Sequence, residues 1–251
     1  MENEKIRIAV LASGSGTNLQ AIMDACNLGT IPGEVVVVGS DKPGVGALKR
    51  AEKAGIPTFV VDYLGLRQKY LNREIEWPED YNAEDAKAKM GAAAERLGKY
   101  NGYDRAIAEA ELLKQLAVYK PDLLVLAGFM WVLTPYFIDK FNRSEFDLRI
   151  VNIHPALLPC FPGKHGYDDS WKYGVRVYGC TVHFVDYGED TGPIIGQSAG
   201  VRRANMTFED YKDEGLKREW RLYADCVELF AKGRLRVLRN ESGRKVVEVL
   251  D

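Results

Sequence analysis

"IRIAVLASGSGTNLQAI" (residues 6–22) decides the fold. An apolar, β-branched run (6–12) stops at two glycines, and an amphipathic pattern begins at Thr17 and continues to Gly29. A buried strand, a tight turn and a helix in immediate succession form the opening unit of an α/β domain. Gly14 and Gly16 allow the turn, and the helix beyond it presents unpaired N–H groups at its positive end. Ser13, Ser15, Thr17 and Asn18 add short polar side chains. This suits a phosphate, although a tight turn without a ligand has the same local sequence. A Walker loop would need a lysine, which is missing here, and the dinucleotide fingerprint would need glycine where Leu19 stands. Asp41, following the second strand, keeps a ribose contact open under the dinucleotide reading.

Working outward, the unit repeats. "EVVVVGS" (34–40), "PTFVVD" (57–62), "DLLVLAG" (122–128) and "LRIVNIH" (148–154) read as strands, with "VGALKRAEKAG" as a helix between the first two. Continuous apolar strands separated by helices predict a parallel sheet covered on both faces. "GCTVHFVD" (179–186) and "GPIIGQSAGV" (192–201) follow each other too closely for a crossover helix and predict an antiparallel edge. A long helix starts at "TFED", with Thr207 as its cap and Leu216, Trp220, Tyr223, Val227 and Phe230 as its apolar stripe. The tail reads as a hairpin about Asn240 to Gly243. Residues 63–120 are too long for one connection and contain two helical patterns, "NAEDAKAKMGAAAERLG" and "YDRAIAEAELLKQLAVYK". The predicted fold is α/β and Rossmann-like: a mostly parallel sheet with helices on both faces, an antiparallel C-terminal edge and a helical insertion at about 76–102, within a single domain spanning 1–251.

Composition narrows the partners. The 251 residues carry 34 basic and 36 acidic side chains, a net charge of −2 that offers no global field for nucleic acid or a membrane surface. The four cysteines lack a C-x-x-C pair and read as reduced thiols of a cytoplasmic protein. The apolar N-terminal run ends in glycines, unlike a signal peptide, and no run reaches the ~18 apolar residues of a membrane span.

"NIHPALLPCFPGKHG" (152–166) carries the chemistry. Pro155, Pro159 and Pro162 prevent regular pairing, so Asn152 and His154 end a strand. Two residues apart, they project from one face at the carboxyl end of a parallel strand, where open α/β sheets bind ligands. His154, His165 and His183 lie close in sequence, but their spacing is not that of a metal site, and no metal is expected. The loop in "HFVDYGEDTGPII" (183–195) brings Asp186, Glu189 and Asp190 after a strand. A carboxylate there would raise the pKa of His154 and ready it to donate a proton. The Asn152 amide would stabilise charge on oxygen. With no Ser or Cys nucleophile beside them, these groups suggest direct transfer between two bound molecules.

"SGSGTNLQAI", "PDLLVLAGFM", "NIHPALLPCFPGKHG" and "TVHFVDYGEDTGPII" together resemble the phosphoribosylglycinamide formyltransferase family, folate-dependent enzymes of purine synthesis. The resemblance covers nearly the whole chain outside the insertion. It implies transfer of a formyl group from 10-formyltetrahydrofolate to the amine of glycinamide ribonucleotide, in a monomer or homodimer. Asn152, His154 and Asp190 would be catalytic. Gly16, Thr17, Asn18 and Glu219 would hold the ribonucleotide. Met130, Trp131, Val132, Leu133, Asn152 and the loop of Asp186, Tyr187, Gly188, Glu189 and Asp190 would line the folate pocket. A folate-contacting arginine would be Arg67 in "RQKYLNREI", or would come from "YDRA" (103–106). The chain departs from the family pattern at Trp131, where arginine is usual, at Asp41 in "SDK", where asparagine is usual, at Ala224 and in the insertion. A formyltetrahydrofolate deformylase or another formyltransferase of the same fold is the alternative reading.

Overall fold

The computed structural model describes residues 5–91 and 105–251. Seven strands form one sheet in the order β3-β2-β1-β4-β5-β6-β7. They are β1 (Ile6–Leu11), β2 (Gly33–Ser40), β3 (Thr58–Val60), β4 (Leu123–Leu126), β5 (Ile150–His154), β6 (Val177–Phe184) and β7 (Ile194–Val201). Strands β1 to β5 pair in parallel; β6–β7 is antiparallel, as the absence of a crossover helix between residues 186 and 192 predicts, and β5–β6 is antiparallel too, although the connection between them contains a helix. The short hairpin of β8 (Leu235–Arg239) and β9 (Lys245–Val249) turns where the sequence places it.

The central strands are buried on both faces. In β1, Ile8 and Val10 join the core that includes Tyr223 and Val227, whereas Ala9 and Leu11 join the opposite core with Leu112, Leu116 and Phe137. The first core lies under α1 (Thr17–Asn27), α2 (Gly46–Lys53) and α8 (Phe208–Ala231). The second lies under α3 (Tyr63–Leu71), α5 (Arg105–Tyr119) and α6 (Pro135–Phe141). A further helix, α7 (Gly166–Tyr173), follows the proline-rich loop. Helices α3, α6 and α7 lie outside the helical patterns read from the sequence. Among the described residues, no helix is long and apolar enough to cross a membrane.

Helix α8 corrects one expectation. Thr207 and Asp210 do form a reciprocal capping box, but the buried stripe runs through Tyr211, Gly215, Glu219, Tyr223, Cys226 and Val227. Leu216 and Trp220 are only half-buried. A charged residue lies on the inner face because it has partners there, and hydrophobic periodicity alone cannot see it. Tyr223 likewise does more than pack. Its hydroxyl donates to the carbonyls of Leu126 (2.9 Å) and Val151 (3.0 Å), joining the ends of β4 and β5.

Part of the insertion is described. Helix α4 (Ala83–Met90) buries Ala86 and Met90 and lies against α6. The second half of the alanine-rich pattern, residues 92–104, lies outside the described residues.

Candidate active site

The sheet order reverses beside β1, so the chain leaves β1 toward α1 on one face and β4 toward α6 on the other, and a crevice opens between the two loops. The glycine turn after β1 forms one edge. Gly16 has φ 73°, and an added Cβ would lie 2.6 Å from the Ala47 backbone, so only glycine fits. Gly16 also precedes α1 without a side chain to cap it, which leaves the first-turn N–H groups available to a ligand. Asn18, 8% exposed, donates from Nδ2 to Glu219 Oε2 at 2.8 Å, and the Tyr167 hydroxyl donates to the other carboxylate oxygen. Burial pushes the Glu219 carboxyl up, against the two hydrogen bonds that hold it down.

The other edge follows β4. Met130, Trp131, Val132 and Leu133 line a cleft of about 260 Å³ together with Asn18, Asn152, His154, Tyr167, His183, Glu189, Asp190 and Glu219. The Met130 N–H donates to Ser13 Oγ at 3.0 Å and ties this wall to the glycine turn. Glu109, fully buried on α5, accepts the Thr134 N–H at 2.8 Å and the Thr134 hydroxyl, and so fixes the end of the wall where α6 begins.

The amide, the imidazole and the acid meet in this cleft. His154 Nδ1 lies 3.2 Å from Asp190 Oδ2. The Gly163 N–H donates to the same oxygen at 2.7 Å, and Asn152 Nδ2 lies 3.5 Å from Asp190 Oδ1. Phe161 and Asp190 both adopt left-handed backbone, with φ 54° and 55°. For phenylalanine this is strained, and it delivers the Phe161 carbonyl to within 2.7 Å of His154 Nε2. A carbonyl only accepts, so Nε2 carries the hydrogen.

One electrostatic expectation is reversed. Burial lowers the pKa of His154 below the ordinary imidazole value; Asp190 and the Phe161 carbonyl oppose this without overcoming it. The sequence reveals the acid but not how fully the ring is enclosed. The ring is 3% exposed, and at that burial desolvation of the cation outweighs the partner. For Asp190, burial pushes upward, but His183, His154 and the Gly163 N–H together hold its carboxyl below the usual range.

Sequence reasoning missed His183, which the antiparallel register places directly opposite Asn152. Its Nδ1 lies 2.8 Å from the Phe184 carbonyl, and its Nε2 lies 3.3 Å from the Asn152 amide nitrogen and 3.5 Å from Asp190 Oδ1. It also missed Tyr167, Glu109 and the backbone of Phe161 and Gly163, for which no motif offers a signal. Asp186 and Tyr187 do not line this cleft; their side chains border a groove on the far side of the loop. Arg67, on α3, is not among the lining residues either. Arg105 is closer: its Nη1 donates to the Val132 carbonyl at 3.0 Å and its guanidinium lies 5.7 Å from the Trp131 ring centre.

Residues 6–227 match the family model described as formyl transferase. The chain belongs to the formyl transferase family. It is 34% identical to the phosphoribosylglycinamide formyltransferase of Escherichia coli (strain K12), over 94% of this chain and 92% of that protein. It is 33% identical to the trifunctional purine biosynthetic protein adenosine-3 of Gallus gallus over 97% of its own length, but spans only 20% of that protein. The crystal structure of glycinamide ribonucleotide transformylase 1 from Symbiobacterium toebii superposes with a TM-score of 0.76 at 37% identity, covering 99% of this chain and 95% of the other. A formyltetrahydrofolate deformylase from Pseudomonas syringae shares the fold, with a TM-score of 0.72 at 20% identity.

Proposed function

We propose that this chain is a phosphoribosylglycinamide formyltransferase, moving a formyl group from 10-formyltetrahydrofolate to the amine of glycinamide ribonucleotide in purine biosynthesis. The observation that carries the reading is the meeting of Asn152, His154 and Asp190 in one cleft between the glycine turn and the apolar wall. Family membership and the named relatives set the reaction class.

The ribonucleotide phosphate is assigned to Gly16, Thr17 and Asn18 at the open end of α1, and its ribose to Glu219. The apolar wall from Met130 to Leu133, with Gly188 and Glu189 opposite, suits a flat aromatic ring system with backbone groups at its rim. Bound 10-formyltetrahydrofolate supplies the formyl carbon. The Asn152 amide donates to the formyl oxygen as charge develops there; losing one such donor commonly costs about 10²–10³ in rate. His154, with Nε2 at the Phe161 carbonyl and Nδ1 beside Asp190, is assigned to take the proton that the attacking amine gives up. Asp190 then stabilises the imidazolium across 3.2 Å, and the same proton passes to the departing folate nitrogen as its bond to carbon breaks. Confinement of both molecules supplies the remaining advantage.

The experiment is formyl transfer by the His154→Ala variant, followed with and without glycinamide ribonucleotide. The expected outcome is a fall in kcat of about 10²–10⁴. Wild-type turnover in the variant would overturn the mechanism. Formyl release by the wild type in the absence of ribonucleotide would favour the deformylase.

A further inference from the structure

Asp190 reaches His154 from a loop with a hollow behind it. The turn between β6 and β7 presents Gly188, Glu189 and Asp190 to the cleft. Behind it runs a groove of about 760 Å³, bordered by Lys89, Asp139, Asp186, Tyr187, Thr191 and Arg244 among others. The Tyr187 ring packs against the edge of the second core, but the loop backbone beyond it depends on polar ties for its position. Within the loop, Asp186 Oδ1 accepts the Thr191 hydroxyl at 2.6 Å and the Gly188 N–H at 3.1 Å. A Cβ on residue 188 would lie 2.1 Å from Thr191 Oγ1, so the turn closes tightly on itself. A displacement of Tyr187 therefore carries Asp190 with it. From behind, Arg244 Nη2 of the terminal hairpin donates to the Thr191 carbonyl at 3.2 Å. The Tyr187 hydroxyl donates to Asp139 Oδ1 at 2.5 Å, while Asp139 Oδ2 takes Lys89 Nζ at 2.7 Å. Burial, with the Asp139 bond adding to it, pushes the Tyr187 hydroxyl up to about 12, so it keeps its proton and donates. Lys89 belongs to α4, inside the insertion, where Asp85 also holds it at 2.7 Å. Each oxygen of Asp139 thus serves one side, the loop or the insertion.

We infer that the insertion braces the catalytic loop: Lys89 and Asp139 are positioning residues that act through the Tyr187 hydroxyl to keep Asp190 against His154. This rests on the formyl-transfer reading for what the loop does. Asp190 Oδ2 stands 3.2 Å from His154 Nδ1 and accepts the Gly163 N–H at 2.7 Å, so a loop shift of about 1 Å would part it from both. No described residue of α4 lines the cleft, so the insertion acts on the reaction without touching either substrate. A helix merely packed on α6 through Ala86 and Met90 would leave turnover indifferent to the line from Lys89 to Tyr187.

Formyl transfer and amide hydrogen exchange, both on the full chain, test the brace. Tyr187→Phe keeps the ring and its packing and deletes only the hydroxyl. It is expected to lower kcat roughly tenfold and to leave the KM for the ribonucleotide, assigned to the opposite flank, within about twofold. Lys89→Ala is expected to lower kcat about threefold, and Lys89→Arg to restore it. The Lys89→Ala/Tyr187→Phe variant should be no slower than Tyr187→Phe alone, because both changes act through Asp139. Amides of residues 186–191 should exchange faster in Tyr187→Phe and Lys89→Ala, with the rest of the sheet as in the wild type. An active wild type matched by Tyr187→Phe within about twofold overturns the brace and leaves the formyl-transfer reading standing. Losses that multiply in the double variant, or exchange that quickens throughout the chain, overturn it as well. A wild type that transfers no formyl group sinks the formyl-transfer reading, and the exchange measurement then judges the brace by itself.

Discussion

Glu219 and Glu109 are both almost fully enclosed, one on each flank of the cleft, and in both burial raises the carboxyl pKa. They hold different things. Glu219 takes one donor from α1 and another from α7 while itself belonging to α8, so three separate elements meet on a single carboxylate. Glu109 takes both its donors from Thr134 and secures one turn, the end of the Met130–Leu133 wall. Beyond that turn the flank relies on half-exposed ties. Lys89 on α4 pairs with Asp139 at 2.7 Å, Asp139 accepts from the Tyr187 hydroxyl at 2.5 Å, and Lys140 pairs with Asp80. The glycine-turn flank is therefore a long-range knot, with Asn18 Oδ1 buried and unpartnered among the described residues, and the wall flank is a local anchor with a charged outer layer. The long-range contacts thus gather on the glycine-turn flank, while the flank bearing the insertion is held by half-exposed ties.

The contrast can be broken in three places. Glu219→Ala strands the Asn18 amide and the Tyr167 hydroxyl, each costing about 1–3 kcal/mol. Urea unfolding is expected to show the largest loss of this set, and kinetics a raised KM for the ribonucleotide. A loss no greater than that of Lys89→Ala would erase the distinction between the flanks.

Glu109 tests the wall through pH. Its pKa rises from 4.5 to about 7, so the folded state binds the extra proton across that window. Stability from this group is thus present at low pH and falls as pH rises through the window, by on the order of 3–4 kcal/mol. Glu109→Gln keeps an acceptor for the Thr134 N–H and has nothing to ionise. Unfolding free energies measured across the window are expected to slope downward in the wild type and run flatter in the variant. Parallel slopes would mean that the carboxyl is not the anchor.

Lys89→Ala has the smallest expected effect, below about 1 kcal/mol, because its partners are half in water. Its signature is salt: the difference from wild type should vanish in about 1 M salt, where charges are screened within about 3 Å. A difference that persists would show α4 gripping α6 by packing, through Ala86 and Met90, instead of by charge.

Much of this was legible in the residues. The strands, the parallel-to-antiparallel change, the capped long helix and the terminal hairpin follow from local rules of period, turn and cap. The placement of Asn152 and His154 on one face of a strand end follows from the two-residue repeat of a strand stopped by prolines. The helices at 63–71, 135–141 and 166–173 escaped because, at 9, 7 and 8 residues, they are too short to show a repeated apolar stripe.

The sequence by itself determined which residue types are present and which face of their own element they share, since both properties repeat over a few residues along the chain. Only the tertiary structure decided what each meets across the molecule: His183 opposite Asn152, Glu219 between Asn18 and Tyr167, and Asp41 under Trp131. It alone also decided that His154 is enclosed enough for desolvation to outweigh its carboxylate partner. Burial and long-range pairing depend on every element at once, and no local pattern encodes that sum.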